Sequence, residues 1–464
     1  MEPTLELLIE KLSSDGSGIA RVSEGSLREG SSGERDRGER PSVVFVEGAL
    51  PGEVVEAEIT KRKKDFSLAR VVRVKRANPR RVSPVCPVFG VCGGCQLQYA
   101  SYDLQLEIKA DIVRDALTRI GGFLGVGGGA GELPEIECVA SPEQWGYRNK
   151  ASFPVHKVKG KPTAGFYAAG SHRLVPLTSC PVNAAPLNGL FGAIQKALPA
   201  LELDVYDERG HEGALRHLIL RAGRRTGQTL ASLVVNGRLN ARNMKSISGL
   251  RRSLKDLTTL TLNHNSRPGN VILGPRTETI TGGGLIEERL DGWTLAYDTS
   301  SFFQVNTEQA VQLYRHVRDL SLGNRVLELY SGVGSLTLYL SHLGAVTAVE
   351  EWSAAAALMK SNLEKNGVTN VRVLEGKAED AVADIGTGYD LVVLDPPRTG
   401  CERAVLDKIL ELGPARVVYV SCNPATLARD AKILRQGDYR LTSVRAFDMF
   451  PQTVHVETVA LLTR

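Results

Sequence analysis

From about Asp291 the chain alternates short β-branched runs with helix-like stretches, and this alternation restricts the fold more than any other feature. Strands that follow one another through helices pair in parallel, because each helix carries the chain back across the sheet. The expected product is an open, doubly wound α/β sheet. Arg325-Val326-Leu327-Glu328-Leu329-Tyr330 reads as one of its strands. Ser331-Gly332-Val333-Gly334-Ser335 then reads as a tight turn and Leu336 to Leu343 as a helix. Glycine belongs in such a turn because the backbone must approach a ligand closely, with positive φ available. A second strand, Val346 to Val349, ends at Glu350, where a carboxylate grips ribose hydroxyls. Two later apolar runs, Leu391 to Leu394 and Val417 to Val420, lead into Asp395-Pro396-Pro397-Arg398 and Ser421-Cys422-Asn423-Pro424. All of these motifs fall at carboxyl ends of strands, where open α/β sheets bind ligands.

The glycine turn narrows the ligand. A dinucleotide fingerprint wants a third glycine at position 337, which is Thr337, and no Walker lysine is present. Glu328-x-x-Ser331-Gly332-x-Gly334 fits the turn that binds S-adenosyl-L-methionine better. Cys422 lies between a strand end and a helix start, with Asn423 as N-cap and Pro424 as first helical residue. A helix N-terminus favours the thiolate, which is the nucleophile, so a covalent mechanism is expected. A free cysteine is more often a small buried hydrophobe, and the strand-end position outweighs that reading. Cys401, after Gly400, also falls near the expected pocket and is the lesser candidate.

Composition sets the outer limits. The chain has 464 residues, 42% hydrophobic and 23% charged, as in ordinary globular proteins, with room for roughly two to four domains. No apolar run is long enough to cross a bilayer and no signal-peptide core precedes residue 20, so a cytoplasmic protein without membrane contact is expected. The net charge of +5 says little, but its distribution says more. Lys61, Arg62, Lys63, Lys64, Arg70, Arg73, Lys75, Arg76, Arg80 and Arg81 crowd one region, with Asp65 the only acid among them. Such a stripe marks contact with a polyanion, nucleic acid rather than membrane, because the segment alternates like strands. Short strands near Leu7, Val43 to Val46, Val54 to Ile59 and Leu68 to Val72 suit a small OB-like barrel. Ser23 to Pro41, almost without apolar residues, reads as a disordered insertion in a hairpin.

Seven cysteines in a chain this long do not form a secreted disulfide framework. Cys86, Cys92 and Cys95 are bunched in one loop, which points to metal ligation. Three thiols are one short of a cubane cluster or a structural zinc site, and Cys138, Cys180 and Cys401 are the candidates for the fourth. A helix over Asp103 to Ile120 and a flexible linker from Gly125 to Gly131 follow. A strand-rich, mixed α+β region then runs to about residue 290.

These motifs resemble the RNA uracil-5-methyltransferase family, which includes enzymes acting on 23S rRNA and on tRNA. The resemblance covers nearly the whole chain. It rests on Trp145-Gly146-Tyr147-Arg148-Asn149-Lys150, Phe302-Phe303-Gln304-Val305-Asn306, the glycine turn, the Asp395 and Cys422 motifs, and His455-Val456-Glu457-Thr458. It implies a multi-domain α/β protein. Residues 1–80 would form a TRAM domain, 81–97 and 133–290 a central domain with the cysteines, and 98–132 and 291–464 a Rossmann-like class I methyltransferase domain. Gln304, Tyr330, Ser335, Glu350 and Asp395 would contact S-adenosyl-L-methionine, together with Gly332 and Gly334 of the turn. The segment Gly376-Lys377-Ala378-Glu379 departs from the asparagine the family places there. Cys422 would be the nucleophile toward uracil C6 and Glu457 the group that removes the C5 proton. Cys180-Pro181 matches the fourth ligand position, implying a [4Fe–4S] cluster on Cys86, Cys92, Cys95 and Cys180, with zinc as the alternative. The TRAM-like module and the cysteine cluster lean toward 23S rRNA as substrate, with tRNA second and a non-catalytic RNA-binding protein third. A monomer is expected.

Overall fold

The computed structural model describes residues 4–22, 42–124, 133–254 and 256–464. The expected insertion at 23–41 and the linker at 125–131 lie outside them.

The first module is a closed barrel. Its strands are ordered Thr4–Leu8, Val54–Arg62, Phe66–Arg76, Ser42–Glu47, Gly18–Val22 and Lys11–Leu12. The first and last of these are two pieces of one kinked segment, so the sheet meets itself and has no free edge. Alternation decides what faces in: Val55, Ala57 and Ile59 join Leu7, Ile9, Val44, Val46 and Ala69 in its core. Val22 pairs with Ser42 across neighbouring antiparallel strands.

The middle region holds a seven-stranded sheet, Leu174–Pro176, Lys161–Tyr167, Lys150–Val158, Leu215–Ala222, Thr229–Val235, Thr259–His264 and Arg276–Thr281. Helices Ala185–Ala197 and Ala241–Ser253 cover one face, where Phe153, Phe191, Leu218, Leu220 and Leu233 pack. The other face lies on the segment Tyr297–Ser301: Thr261 Oγ1 and Thr299 Oγ1 share a 2.8 Å hydrogen bond, and Arg221 donates to the Ser301 carbonyl.

The carboxyl-terminal sheet has eight strands, ordered Val371–Glu375, Ala345–Glu350, Arg325–Leu329, Leu391–Leu394, Arg416–Ser421, Glu457–Thr463, Arg440–Phe447 and Glu137–Val139. The first five run parallel and the Glu457–Thr463 strand is antiparallel between its neighbours. The edge strand Glu137–Val139 lies beyond the expected boundary at residue 133, which therefore falls too early: this strand belongs to the last sheet, not the middle one. Helix Tyr102–Arg119 packs beside the same edge and against helix Pro424–Leu434.

Buried polar contacts tie distant parts of the chain together. Lys109 and Asp448 form a fully buried ion pair, and Lys109 Nζ also donates to the Phe450 carbonyl at 3.0 Å. Gln105 and Gln452 bond to each other through side chain and backbone. Glu53, wholly buried in the barrel, accepts two bonds from Arg81 and one each from the Leu50 and Asn78 amides. No helix among the described residues is long and apolar enough to cross a membrane.

Candidate active site

Strand register brings the distant motifs to one level. Leu329 pairs with Val349 on one side and with Leu394 on the other, so Tyr330, Glu350 and Asp395 follow at adjacent strand ends. Ser421 pairs with Thr458 in the antiparallel direction, which sets Cys422 at the level of Glu457. The carboxyl edge of the sheet thus carries all the motifs singled out in this part of the sequence.

The glycine turn is built for close approach. Tyr330, Gly332 and Gly334 have φ of 65°, 58° and 88°. A Cβ on Gly334 would come within 2.7 Å of Met359 Cγ, so this position is restricted by space as well as by backbone angle. Glu350 does more than the sequence reading gave it. Its carboxylate accepts from the amides of Gly332, at 2.8 Å, and Trp352, at 2.9 Å, which fixes the turn. Beneath the turn Glu328 is buried and pushed up to about 8 by burial, with Thr337 and Ser331 pulling the other way. Its part was not foreseen, although it opens the motif. Ser335 starts the helix and bonds to the buried Tyr314. Gln304 is buried, and its carbonyl accepts from Asn149 Nδ2 of the middle region at 2.9 Å. At the departure from the family pattern, the Gly376 amide bonds to the Glu350 carbonyl at 3.0 Å, so the backbone still joins the pocket wall.

Around Cys422 the loop at Arg398 is tied to the following helix. Asn423 caps that helix through a bond from the Ala425 amide, and Asn423 Nδ2 donates to the Arg398 carbonyl at 3.0 Å. The expected lowering of the thiol is not found. Burial, with Glu457 and Asp395 nearby, pushes Cys422 up to about 11, and Arg398 pulls the other way. Burial, aided by the two carboxyl groups, outweighs the helix N-terminus. Burial likewise raises Asp395 to about 7, and burial plus Asp395 raises Glu457 well above the usual carboxylate range. Three groups with displaced protons in one cleft are the mark of proton-handling chemistry. Cys401 is 5% exposed, its amide bonds to Asp430 at 2.9 Å, and burial pushes its thiol up to about 12. It belongs to the core beneath the loop.

Groups that local spacing did not mark complete the rim. Tyr147 donates to the Pro451 carbonyl at 3.0 Å and holds the segment leading to Glu457. His455 is held down at about 4 by desolvation and by Arg398, Lys109 and Arg148, which places those cations around it.

The cysteines gather away from this cleft. Burial, with the neighbouring thiols, raises Cys92, Cys95 and Cys180, and takes Cys95 to about 12. Amides of Gly94, Val182 and Asn183 and the Gln98 side chain bond to three of the sulfurs, as suits thiolate ligands. No three Cys, His, Asp or Glu among the described residues converge closely enough to hold a metal ion. The donor set fits a cluster or zinc; its spacing is wider than a closed site. Cys138 lies apart, beside Asp448 and Lys109.

The basic stripe is only partly free. Arg73 pairs with Glu56, Lys75 with Glu6, Arg80 with Glu107, Arg81 with Glu53, and Arg70 lies 3.5 Å from Glu58. Neighbouring strands supply the acids that the stripe itself lacks. Lys61, Lys63 and Lys64, at the hairpin tip, stay exposed.

Comparison with known proteins agrees with this arrangement. Residues 226–464 match the tRNA (Uracil-5-)-methyltransferase family and residues 3–72 the TRAM domain. An uncharacterized RNA methyltransferase of Gloeobacter violaceus is 40% identical over 466 residues, covering 99% of this chain and 96% of the relative. Another, from Halalkalibacterium halodurans, is 36% identical with 99% and 96% covered. The crystal structure of Pyrococcus abyssi tRNA (uracil-54, C5)-methyltransferase, in complex with S-adenosyl-L-homocysteine, superposes with a TM-score of 0.76, 28% identity and 99% of each chain covered. The chain belongs to the tRNA (uracil-5-)-methyltransferase family and is an S-adenosyl-L-methionine-dependent RNA methyltransferase with an N-terminal TRAM domain.

Proposed function

We propose that this enzyme makes 5-methyluridine in 23S rRNA through a covalent intermediate on Cys422. The observation that carries the reading is the register that sets Cys422 level with Glu457, at the sheet edge that also carries Asp395 and the glycine turn. The Cys422 sulfur, as thiolate, adds to C6 of uracil. The C5–C6 electron pair moves toward C5 and O4, making C5 enolate-like. C5 takes the methyl group from the sulfonium of the donor, whose S–CH₃ bond breaks to leave a neutral thioether. Glu457 removes the C5 proton; the released pair restores the C5–C6 double bond and expels the sulfur. Burial makes Glu457 a stronger base than an ordinary carboxylate, as this step requires. Gln304, Tyr330, Gly332, Gly334, Ser335, Glu350 and Asp395 hold the methyl donor. The target base must leave its stack to reach the cleft.

A tRNA substrate is the second reading. The archaeal enzyme that matches 99% of this chain is named for tRNA, so an N-terminal module does not by itself select rRNA. Mapping 5-methyluridine in rRNA and tRNA of a strain lacking this gene tests both: loss of a 23S site supports the first reading, and loss confined to tRNA replaces it.

Cys86, Cys92, Cys95 and Cys180 would hold a [4Fe–4S] cluster that orders the loop, with zinc as the alternative; no methylation step uses it. Protein purified without oxygen should carry about four irons. Serine at any of the four should remove the metal, and serine at Cys138 or Cys401 should not. The three-part division, 1–80, a middle unit and the methyltransferase unit, is proposed with the last unit enlarged by Glu137–Val139. Proteolysis between the units checks it.

A further inference from the structure

The sheet of the middle region carries an unneutralised cation pair. Lys150 and Arg221 stand directly opposite each other on neighbouring antiparallel strands. Ala151 and Leu220 beside them point to the apolar core, so the two cations share the other face. Like charges at opposed positions repel. Arg148, two residues from Lys150, adds a third positive group, and its Nε donates to the Lys150 carbonyl. None of the three has a carboxylate within ion-pair distance among the described residues. The nearest acid, Asp298, is committed to the amides and hydroxyls of Ser300 and Ser301. Arg221 is 1% exposed and its Nε has no hydrogen-bond partner. A buried guanidinium that has the Ser301 carbonyl and the Tyr297 ring but no partner for its Nε, beneath a half-buried lysine, is costly in isolation. An oxyanion arriving from solvent removes the cost.

We propose that Lys150 and Arg221, with Arg148, form a subsite for a backbone phosphate of the RNA beside the target uridine. The inference rests on the RNA-methylating reading above. Place favours phosphate over the carboxylate of the methyl donor. Arg148 is one of the cations acting on His455, near the Cys422 side of the sheet edge, whereas Glu350 and the glycine turn lie on the far strands. The charge state of Lys150 agrees. Burial, Arg221 and Arg148 bring it down to about 7, against a weak opposing pull from Asp298. A phosphate restores its proton, so above pH 7 binding takes up a proton and affinity falls as pH rises.

The test uses a 20-nucleotide oligouridylate, with S-adenosylhomocysteine bound and salt and pH varied. Lys150→Met should weaken RNA binding about tenfold, the scale of one charge-assisted contact. It should lower the salt slope by about 0.7 and leave S-adenosylhomocysteine affinity unchanged. Lys150→Arg should retain affinity and lose the fall between pH 6.5 and 8.5. Without RNA, Lys150→Met should raise the melting temperature by relieving repulsion. Unchanged RNA affinity and slope overturn the proposal. So does weakened S-adenosylhomocysteine binding with RNA unaffected, which would assign the subsite to the donor's carboxylate. Trapping of 5-fluorouridine RNA on Cys422 checks the underlying reading separately.

Discussion

Cys422 comes level with Glu457 only because the last strand runs antiparallel, and burial, with Glu457 and Asp395, raises the thiol's proton affinity. The resting thiol is protonated, so the rate of attack should climb as pH rises from 7 toward 9, up to about tenfold per unit. Cys422→Ser should abolish the adduct with 5-fluorouridine RNA and still bind the methyl donor, whose contacts lie on other strand ends. Cys401→Ser should form the adduct normally; an adduct mapped to Cys401 would reverse the assignment. For Glu457, replacement by glutamine should let methyl transfer proceed and stall elimination. Methylated protein–RNA conjugate would then accumulate on ordinary uridine, visible by gel shift and mass spectrometry. The same variant should melt at a higher temperature above neutral pH. A carboxylate raised on folding contributes stability only while protonated and loses it as pH rises. An equal or lower melting temperature at pH 8.5 would show that Glu457 is not held against its charge.

At the scale of elements, legibility followed how local each signal is. The strand before the glycine turn, the runs into Asp395 and Cys422, and the helix expected over 103–120 and found at Tyr102–Arg119 all announce themselves by periodicity. Glu137–Val139 does not. Three residues have no period, and their pairing with Arg440–Phe447 is chosen by a strand roughly 300 positions away. Gly18–Val22 escaped notice because glycine and arginine mask its alternation. The state of the Cys422 thiol is hidden for a related reason: its helix is adjacent in sequence, whereas the packing that buries it, with Glu457 and Asp395, is not. The Lys109–Asp448 pair was equally invisible, though it fixes the segment leading into Glu457. Lys109→Met should cost about 3–5 kcal/mol, since it strands a buried carboxylate, and much should return on adding Asp448→Leu. Denaturant titration of both variants reads this directly. A loss below 1 kcal/mol would mean that the pair is not a fastening.

For the whole molecule, the barrel is no detachable handle. Removing it would strip Arg81 of its buried partner Glu53, and would uncover Leu97 and Tyr99, which pack with Leu12 and Leu50. RNA binding is better probed at the hairpin tip. Changing Lys61, Lys63 and Lys64 together to Gln should weaken RNA binding and flatten its salt dependence by about two, without altering affinity for the methyl donor. Superimposable salt slopes would show that the tip is merely solvated.

The Glu53–Arg81 anchor has a wider meaning. A tethered module would let its RNA wander, and the reacting base would be found by search. A module bolted through a buried carboxylate would make the protein a calliper instead, with one jaw at the lysine tip and the other at Cys422. What such an instrument recognises is a span. Under the proposed function, the uridine it selects would then be defined less by its neighbours in sequence than by how far the folded RNA holds it from a second point of contact.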